Sequence, residues 1–397
     1  MAAKKRFDAI QTLRFMCFLI VFAEHAGFYK VSGIPNFGEL CIMSVFLMMS
    51  GFLMVFSYMD RDVPTDLRGC FKFSTGKIKK LYPLHVETAI IQFAIIIWLY
   101  WELFQAMDQV HLESFLFRFG VNLGLMQAWI PDYQNYVFNF NGPSWFLSVM
   151  LFAYCMFPLF LKLLKKLNDT KKLIILAGGM IALSLCATVI VGVLTGYDDN
   201  VFVWFTQNFP ITRTVDFLLG SIIGYIYVMR RKEKNIDNKE HSKGIWTVIE
   251  EIVILLFYIG SYALAAVLIL GCGDAGKAVV FCSPLFSCLF AFPMLMVFVW
   301  SRGYITKALS WKPLVYLGNI SMYTYLLHYI FTQFWASYRQ KTGFDDLSGD
   351  KVYIRWIAII IELALTIGSA VLYDKLQKKK AAKAKAKKEA AAAKVTK

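Results

Sequence analysis

RFDAIQTLRFMCFLIVFAEHAGF, residues 6–28, is apolar enough to cross a bilayer, yet it carries Arg14 and His25 inside its span. On an α-helix the eleven-residue step from Arg14 to His25 turns through about 1100°, close to complete turns, and rises about 16 Å. The spacing therefore predicts a permanent cation and a titratable imidazole on one face, half a membrane apart. Ionisable groups at that depth are costly and face a bundle interior or a wet cavity. In the plainer alternative Arg14 snorkels to the interface and His25 only bonds a neighbouring helix.

Working outward, the whole chain repeats this apolar character. Its 397 residues are 58% hydrophobic and 17% charged, with 35 Phe, which indicates an all-α, polytopic membrane protein. Residues 1–28 read as a first span and not as a cleavable leader, because the apolar part is long and no small-residue cleavage site follows. Eight cysteines (17, 41, 70, 155, 186, 272, 282 and 288) lie mostly within apolar runs without a CxxC pair. They read as core residues, so neither a zinc site nor a disulfide frame is expected. The net charge of +15 raises nucleic acid as a partner, but its distribution fits membrane topology instead.

Ten crossings are expected, at roughly 8–28, 40–59, 81–103, 145–163, 173–195, 212–229, 247–270, 279–300, 314–337 and 354–374. The basic segments 4–6, 60–80, 162–172, 230–243, 302–312 and the tail from Lys375 collect 33 of the 42 Lys and Arg, and they fall in alternate loops. By the positive-inside rule both termini are then cytoplasmic. Parity also requires an even number of crossings between 60–80 and 162–172. The amphipathic stretch 113–130 should therefore stay in an outer loop or re-entrant element. Residues 1–375 form the transmembrane domain, followed by a basic low-complexity tail, 376–397, able to lie on the inner leaflet as an Ala-Lys helix or simply to be solvated. No stretch reads as a soluble domain of any size.

This topology assigns depths to the polar residues. Arg14 lies nearer the cytoplasm and His25 nearer the outside. In the ninth span Ser321, Tyr325 and His328 form one helical stripe, with His328 at a depth similar to that of His25. The fourth span opens outside with NGPSWFLS: Pro143 suits a first helical turn, and Trp145 and Ser148 face the same way. The sixth opens with Arg213 and Asp216, spaced to pair. His25, Ser148, Arg213 and His328 thus converge on a shared polar cavity, although each alone could be structural. An imidazole can take a proton from a hydroxyl attacking a thioester, and arginine can hold phosphate or an oxyanion. Arg14 with Lys77, Lys79 and Lys80 suits a polyanionic cytoplasmic donor. The same inventory also suits a proton-coupled transporter of a glycan or small solute.

Six stretches, taken in order, carry a resemblance: FDAIQTLRFMCFLIVFAEH, SVFLMMSGFLM, KIKKLYPLH, GPSWFLSVMLFAYCMFP, RTVDFLLGSIIGY and SMYTYLLHYIF. The chain resembles acyltransferase family 3, integral-membrane O-acyltransferases of surface polysaccharides and related glycans, to about residue 375. The resemblance implies an acyl-CoA donor, usually acetyl-CoA, reached from the cytoplasm. It also implies a hydroxyl acceptor on a glycan or lipid-linked sugar outside, and a multi-pass place in the bacterial plasma membrane among lipids, with glycan-assembly proteins as candidate partners. His25 matches the family's base, and Arg14 its structural or CoA-contacting arginine. Arg213, His328 and Ser148 become supporting residues, Lys77 and Lys80 donor contacts, and Trp145, Ser321 and Tyr325 lining for the acceptor cavity. No bound cofactor and no metal are expected. Two departures stand out. Lys77 and Lys80 replace a frequent arginine pair, keeping a point charge but losing the bidentate fork. Val149 and Met150 stand where many relatives have a glutamate. Glu24 is no ready substitute, since adjacent helical residues diverge by about 100°, and Glu87, Glu102 and Glu362 receive no role.

Overall fold

The computed structural model describes residues 7–33, 38–234, 245–300 and 303–395. Among these every regular element is helical. In chain order they are α1 (Asp8–His25), α2 (Phe28–Ser32), α3 (Gly38–Tyr58), α4 (Leu67–Ile78), α5 (Tyr82–Leu99), α6 (Trp101–Gln105), α7 (Gln109–Leu123), α8 (Trp145–Leu167) and α9 (Thr170–Thr195). There follow α10 (Val201–Val203), α11 (Pro210–Lys234), α12 (Ile245–Phe281), α13 (Ser283–Trp300), α14 (Tyr304–Leu309), α15 (Lys312–Asn319), α16 (Ser321–Thr342) and α17 (Val352–Val395). The basic tail therefore continues the last helix as far as Val395.

Six helical segments of the described residues are long and apolar enough to cross a membrane: Tyr82–Leu99, Gly142–Leu167, Thr170–Thr195, Val201–Lys232, Ile259–Phe281 and Gly349–Lys387. Ile42–Tyr58 and Cys288–Val299 are apolar but shorter. The expected spans on α1 and α16 fall outside this set. α1 carries Asp8, Arg14, Glu24 and His25, and α16 carries His328 among several hydroxyl and amide side chains. Both are enclosed by protein: α1 packs on α3, α13, α15 and α16, and α16 packs on α5 and α17. A helix surrounded by protein does not need the uniform apolarity that lipid demands. α9 shows the opposite pattern, exposing Ile174, Ile175, Leu183, Ile190, Val193 and Leu194 along an apolar belt suited to lipid.

One boundary differs from the sequence expectation. The ninth span, 314–337, is broken at Ile320, which ends α15 with a non-helical backbone before α16 begins. The connection expected at 271–277 falls at Gly273, whose φ 52° and ψ −128° break α12 into two helical segments; the chain folds back there closely enough that a Cβ at Gly276 would stand 1.7 Å from the Leu268 carbonyl oxygen. The stretch 113–130 holds most of α7, which is too short to span, then a 3₁₀ turn at Gln127–Trp129. Asp108 caps α7 by accepting from the backbone N–H of His111, and also meets the His111 ring, which together hold its carboxyl below the usual range. α7 docks on α5 through Nε2–H of buried His85, which donates to the Asn122 carbonyl at 3.0 Å, and through the Tyr82 hydroxyl, which donates to Leu123 at 3.1 Å.

The centre of the bundle depends on close backbone approach. α3 and α11 form an extensive interface. A Cβ added at Gly220 would stand 2.0 Å from the Met48 carbonyl oxygen. At Gly318 it would stand 1.9 Å from the Gln11 carbonyl, so α15 can lie against α1 only without a side chain there. Gly220→Val should therefore lower the thermal unfolding midpoint in detergent, by an overpacking cost of about 1–3 kcal/mol or more. Gly178→Ala, with nothing within 4 Å of the added Cβ, should leave the midpoint within error; equal midpoints for both would refute the packing argument.

Candidate functional site

His25 ends α1, and His328 lies two turns into α16. The helices bring His25 Nδ1 within 2.9 Å of His328 Nε2, with the rings stacked at 5.1 Å and 26°. His328 Nδ1 lies 2.7 Å from the Tyr325 carbonyl oxygen. A carbonyl can only accept, so that Nδ1 carries the hydrogen. In a neutral His328 the Nε2 is then an acceptor, and His25 must donate to it from Nδ1. This leaves the Nε2 lone pair of neutral His25 without a proton, which is the state a general base requires. Tautomers follow here from the hydrogen-bond chain.

Neighbouring segments hold this pair in place. The ring of Tyr329 meets His25 edge-on at 5.3 Å, and Phe138 lies 6.0 Å away. Phe18 meets the His328 ring at 5.7 Å. The NGPSW stretch is stitched to α16 by two donors: the Tyr325 hydroxyl to the Pro143 carbonyl at 2.9 Å, and Asn141 Nδ2 to the Leu326 carbonyl at 3.1 Å. Asn141 also donates to Thr88 Oγ1 at 2.6 Å, and Gln92 on α5 donates to the Tyr329 carbonyl at 2.9 Å. Three of these links end on α16, and the fourth ties Asn141 to α5.

Arg14 opens on a second region. A cavity of about 260 Å³ is lined by Arg14, Ser50, Leu53, Met54, Ser57, Tyr58, Arg61, Lys77 and Tyr154. Lys77 Nζ donates to the Tyr58 hydroxyl and lies 4.2 Å from that ring's centroid; the Arg61 guanidinium lies 5.2 Å from it. Three cations and two phenols in one open recess suit a phosphorylated ligand.

The structure thus joins His25, His328 and Tyr325 in one network and places Arg14 and Lys77 around one cavity. Trp145, Ser148 and Ser321 are buried, but none bonds to the histidines. Lys80 is exposed and does not line the cavity. Arg213 pairs with Asp216 at 3.2 Å, both fully buried, and Asp216 accepts from Ser44 on α3 at 2.9 Å. That pair ties α11 to α3, and the hydrogen bonds of the histidines do not reach it. Tyr58, Arg61 and Tyr154 were not singled out from sequence; Arg61 counts there only as a topology charge. Arg355 and Glu362 form a further buried pair beside the end of α1. Among the described residues no group of three or more His, Cys, Asp or Glu could hold a metal ion.

The hydrogen-bond chain makes a direct prediction. Selective ¹⁵N-histidine NMR of the purified chain should show His25 protonated at Nδ1 and bare at Nε2. His328→Ala should release that preference; an Nε2-protonated His25 in the wild type would contradict the assignment.

The acyltransferase domain model of acyltransferase family 3 matches residues 7–374, nearly the whole chain and both regions described above. The chain is also similar to acyltransferase MdmB of Streptomyces mycarofaciens, at 27% identity over 237 residues, which cover 56% of this chain and 57% of that protein. The match thus spans little more than half the length of that relative. No solved structure matches. With the family model covering the bundle from α1 into α17, the chain belongs to acyltransferase family 3.

Proposed function

We propose that this acyltransferase is an O-acyltransferase of the bacterial plasma membrane. It moves an acyl group, acetyl in the simplest case, from cytoplasmic acyl-CoA to a hydroxyl of a glycan or lipid-linked sugar outside. The observation that carries this reading is the histidine pair, which leaves Nε2 of His25 free to accept a proton. In the proposed step that nitrogen takes the proton of the acceptor hydroxyl as its oxygen forms a bond to the thioester carbon. The imidazolium that results is stabilised through Nδ1–H by His328, and the thiolate leaves with the proton returned from His25.

The donor's phosphates fit the cavity of Arg14, Arg61 and Lys77. Arg14 and His25 are eleven residues apart on one continuous helix, about 16 Å along its axis. The nucleotide end and the reacting end of a long donor would thus be read at two separate places along α1. The proposed topology keeps ten crossings and cytoplasmic termini. It adds α1, α3, α13 and the α15–α16 pair to the six long apolar segments, since protein encloses the polar helices. Membership of an acyltransferase family favours group transfer over the transport reading.

Acetyl-CoA binding to detergent-purified protein tests the donor site. Arg14→Ala and Lys77→Ala should each weaken binding about tenfold, as expected for a lost charge-assisted contact, and Lys80→Ala should weaken it less. His25→Ala should retain binding yet lower acceptor-dependent turnover by about 100-fold or more. A folded wild type that does not bind acetyl-CoA would eliminate that donor. Wild-type turnover in His25→Ala would eliminate the base.

A further inference from the structure

Arg355 and Glu362 stand seven residues apart near the start of α17, two turns along one face. Both are buried, with Arg355 only 1% exposed and Glu362 5%. The guanidinium grips the carboxylate with two bonds, Nη1 to Oε1 at 2.9 Å and Nη2 to Oε2 at 2.8 Å. Its remaining edge faces another helix: Nε and Nη2 both donate to the Ala26 carbonyl, at 2.8 and 2.5 Å. Ala26 is the C-cap of α1, immediately after His25, and Gly27 then turns the chain away with φ 67°. The last carbonyls of a helix lack intrahelical donors, and a cation there also meets the negative end of the helix dipole. Here that donor is delivered by a side chain whose own charge is neutralised by Glu362.

The same segment also holds the helix that bears His328. Asp346, fully buried, accepts from Trp335 Nε1 at 2.8 Å and from Arg339 Nη1 at 3.0 Å, both on α16. Residues 346–362 therefore hold α16 through Arg339, half-buried against buried Asp346, and the end of α1 through the buried Arg355–Glu362 pair, whose guanidinium donates to the Ala26 carbonyl. Buried ion pairs contribute little net stability against apolar replacements, and their best-supported use is to specify one arrangement. Their reach here is to the two helices whose relative placement sets the distance from His25 to His328.

We propose that Arg355 is a positioning residue for the acyl-transfer reaction. Oriented by Glu362, it fixes the Ala26 carbonyl, and so the end of α1, such that His25 Nδ1–H points at His328 and Nε2 faces the substrate. This rests on the reading of His25 as the base. A bidentate guanidinium is needed because one group must serve a carboxylate and a carbonyl at once; lysine keeps the charge but not the fork.

The test uses the full chain in detergent with ¹⁵N-labelled histidine, comparing wild type, Arg355→Met, Arg355→Lys and Glu362→Gln. Arg355→Met should lose the Nδ1-protonated state of His25 and cut turnover by about tenfold or more, the scale of a misplaced reacting group. Its acetyl-CoA affinity should stay within about twofold of wild type, because Arg355 does not line the Arg14 cavity. Arg355→Lys should recover part of both signals. Glu362→Gln, which keeps one acceptor for the guanidinium, should fall between wild type and Arg355→Met. If Arg355→Met does not fold, the lysine and glutamine variants decide: wild-type tautomer and turnover in both overturn the proposal. An unshifted tautomer in folded Arg355→Met, with His25→Ala inactive, overturns the clamp and leaves the base assignment standing. Wild-type turnover in His25→Ala overturns the base itself, and with it the catalytic role of the clamp.

Discussion

A charged or titratable side chain at membrane depth must be surrounded by protein, and that constraint arranges this bundle. The two helices that carry His25 and His328 are enclosed, whereas α9, rich in isoleucine, leucine and valine, lies largely open on the outside. The buried polar groups are then satisfied by a small number of directed contacts: histidine to histidine, asparagine and tyrosine to backbone carbonyls, and arginine to carboxylate. Close packing makes such contacts possible. Glycines at 220 and 318 let whole backbones meet, and so define where α11 and α15 lie relative to α3 and α1.

Much of the fold was legible because lipid exposure leaves a simple mark. Long apolar runs located most helices, and the alternation of basic loops left 113–130 without a crossing, in keeping with α7, which is not among the six long apolar segments. One break was less legible. Ile320 has no special residue type to announce it, whereas the glycine-rich stretch around Gly273 does mark the break in α12. Hydropathy averages over a window, whereas a break depends on one residue's backbone.

The site divides in the same way. Depth could be inferred from charge parity, and it matched His25 with His328 across 303 residues. Parity says nothing about direction around the bundle, which is why Arg213 and Ser148 share the expected level without bonding to the histidines. Arg14 and Lys77 could be linked by their charge, but Arg61 was absorbed into the count of cytoplasmic cations. Arg355 was hardest to read because its partner is the carbonyl of Ala26, and a backbone oxygen carries no signature in the sequence.

The separation between partners has a consequence for biosynthesis. His25 lies on the first helix and His328 on the penultimate long one, and the Arg355 contact to Ala26 closes a loop of 329 residues. Contacts that distant are the slowest to form, since nearly the whole chain must first be ordered. A nascent or truncated product ending before α16 holds the imidazole of His25 but lacks the ring that orients it. Under the proposed mechanism, proton transfer is therefore withheld until translation and insertion are almost complete, and the histidine pair doubles as a readout of finished assembly.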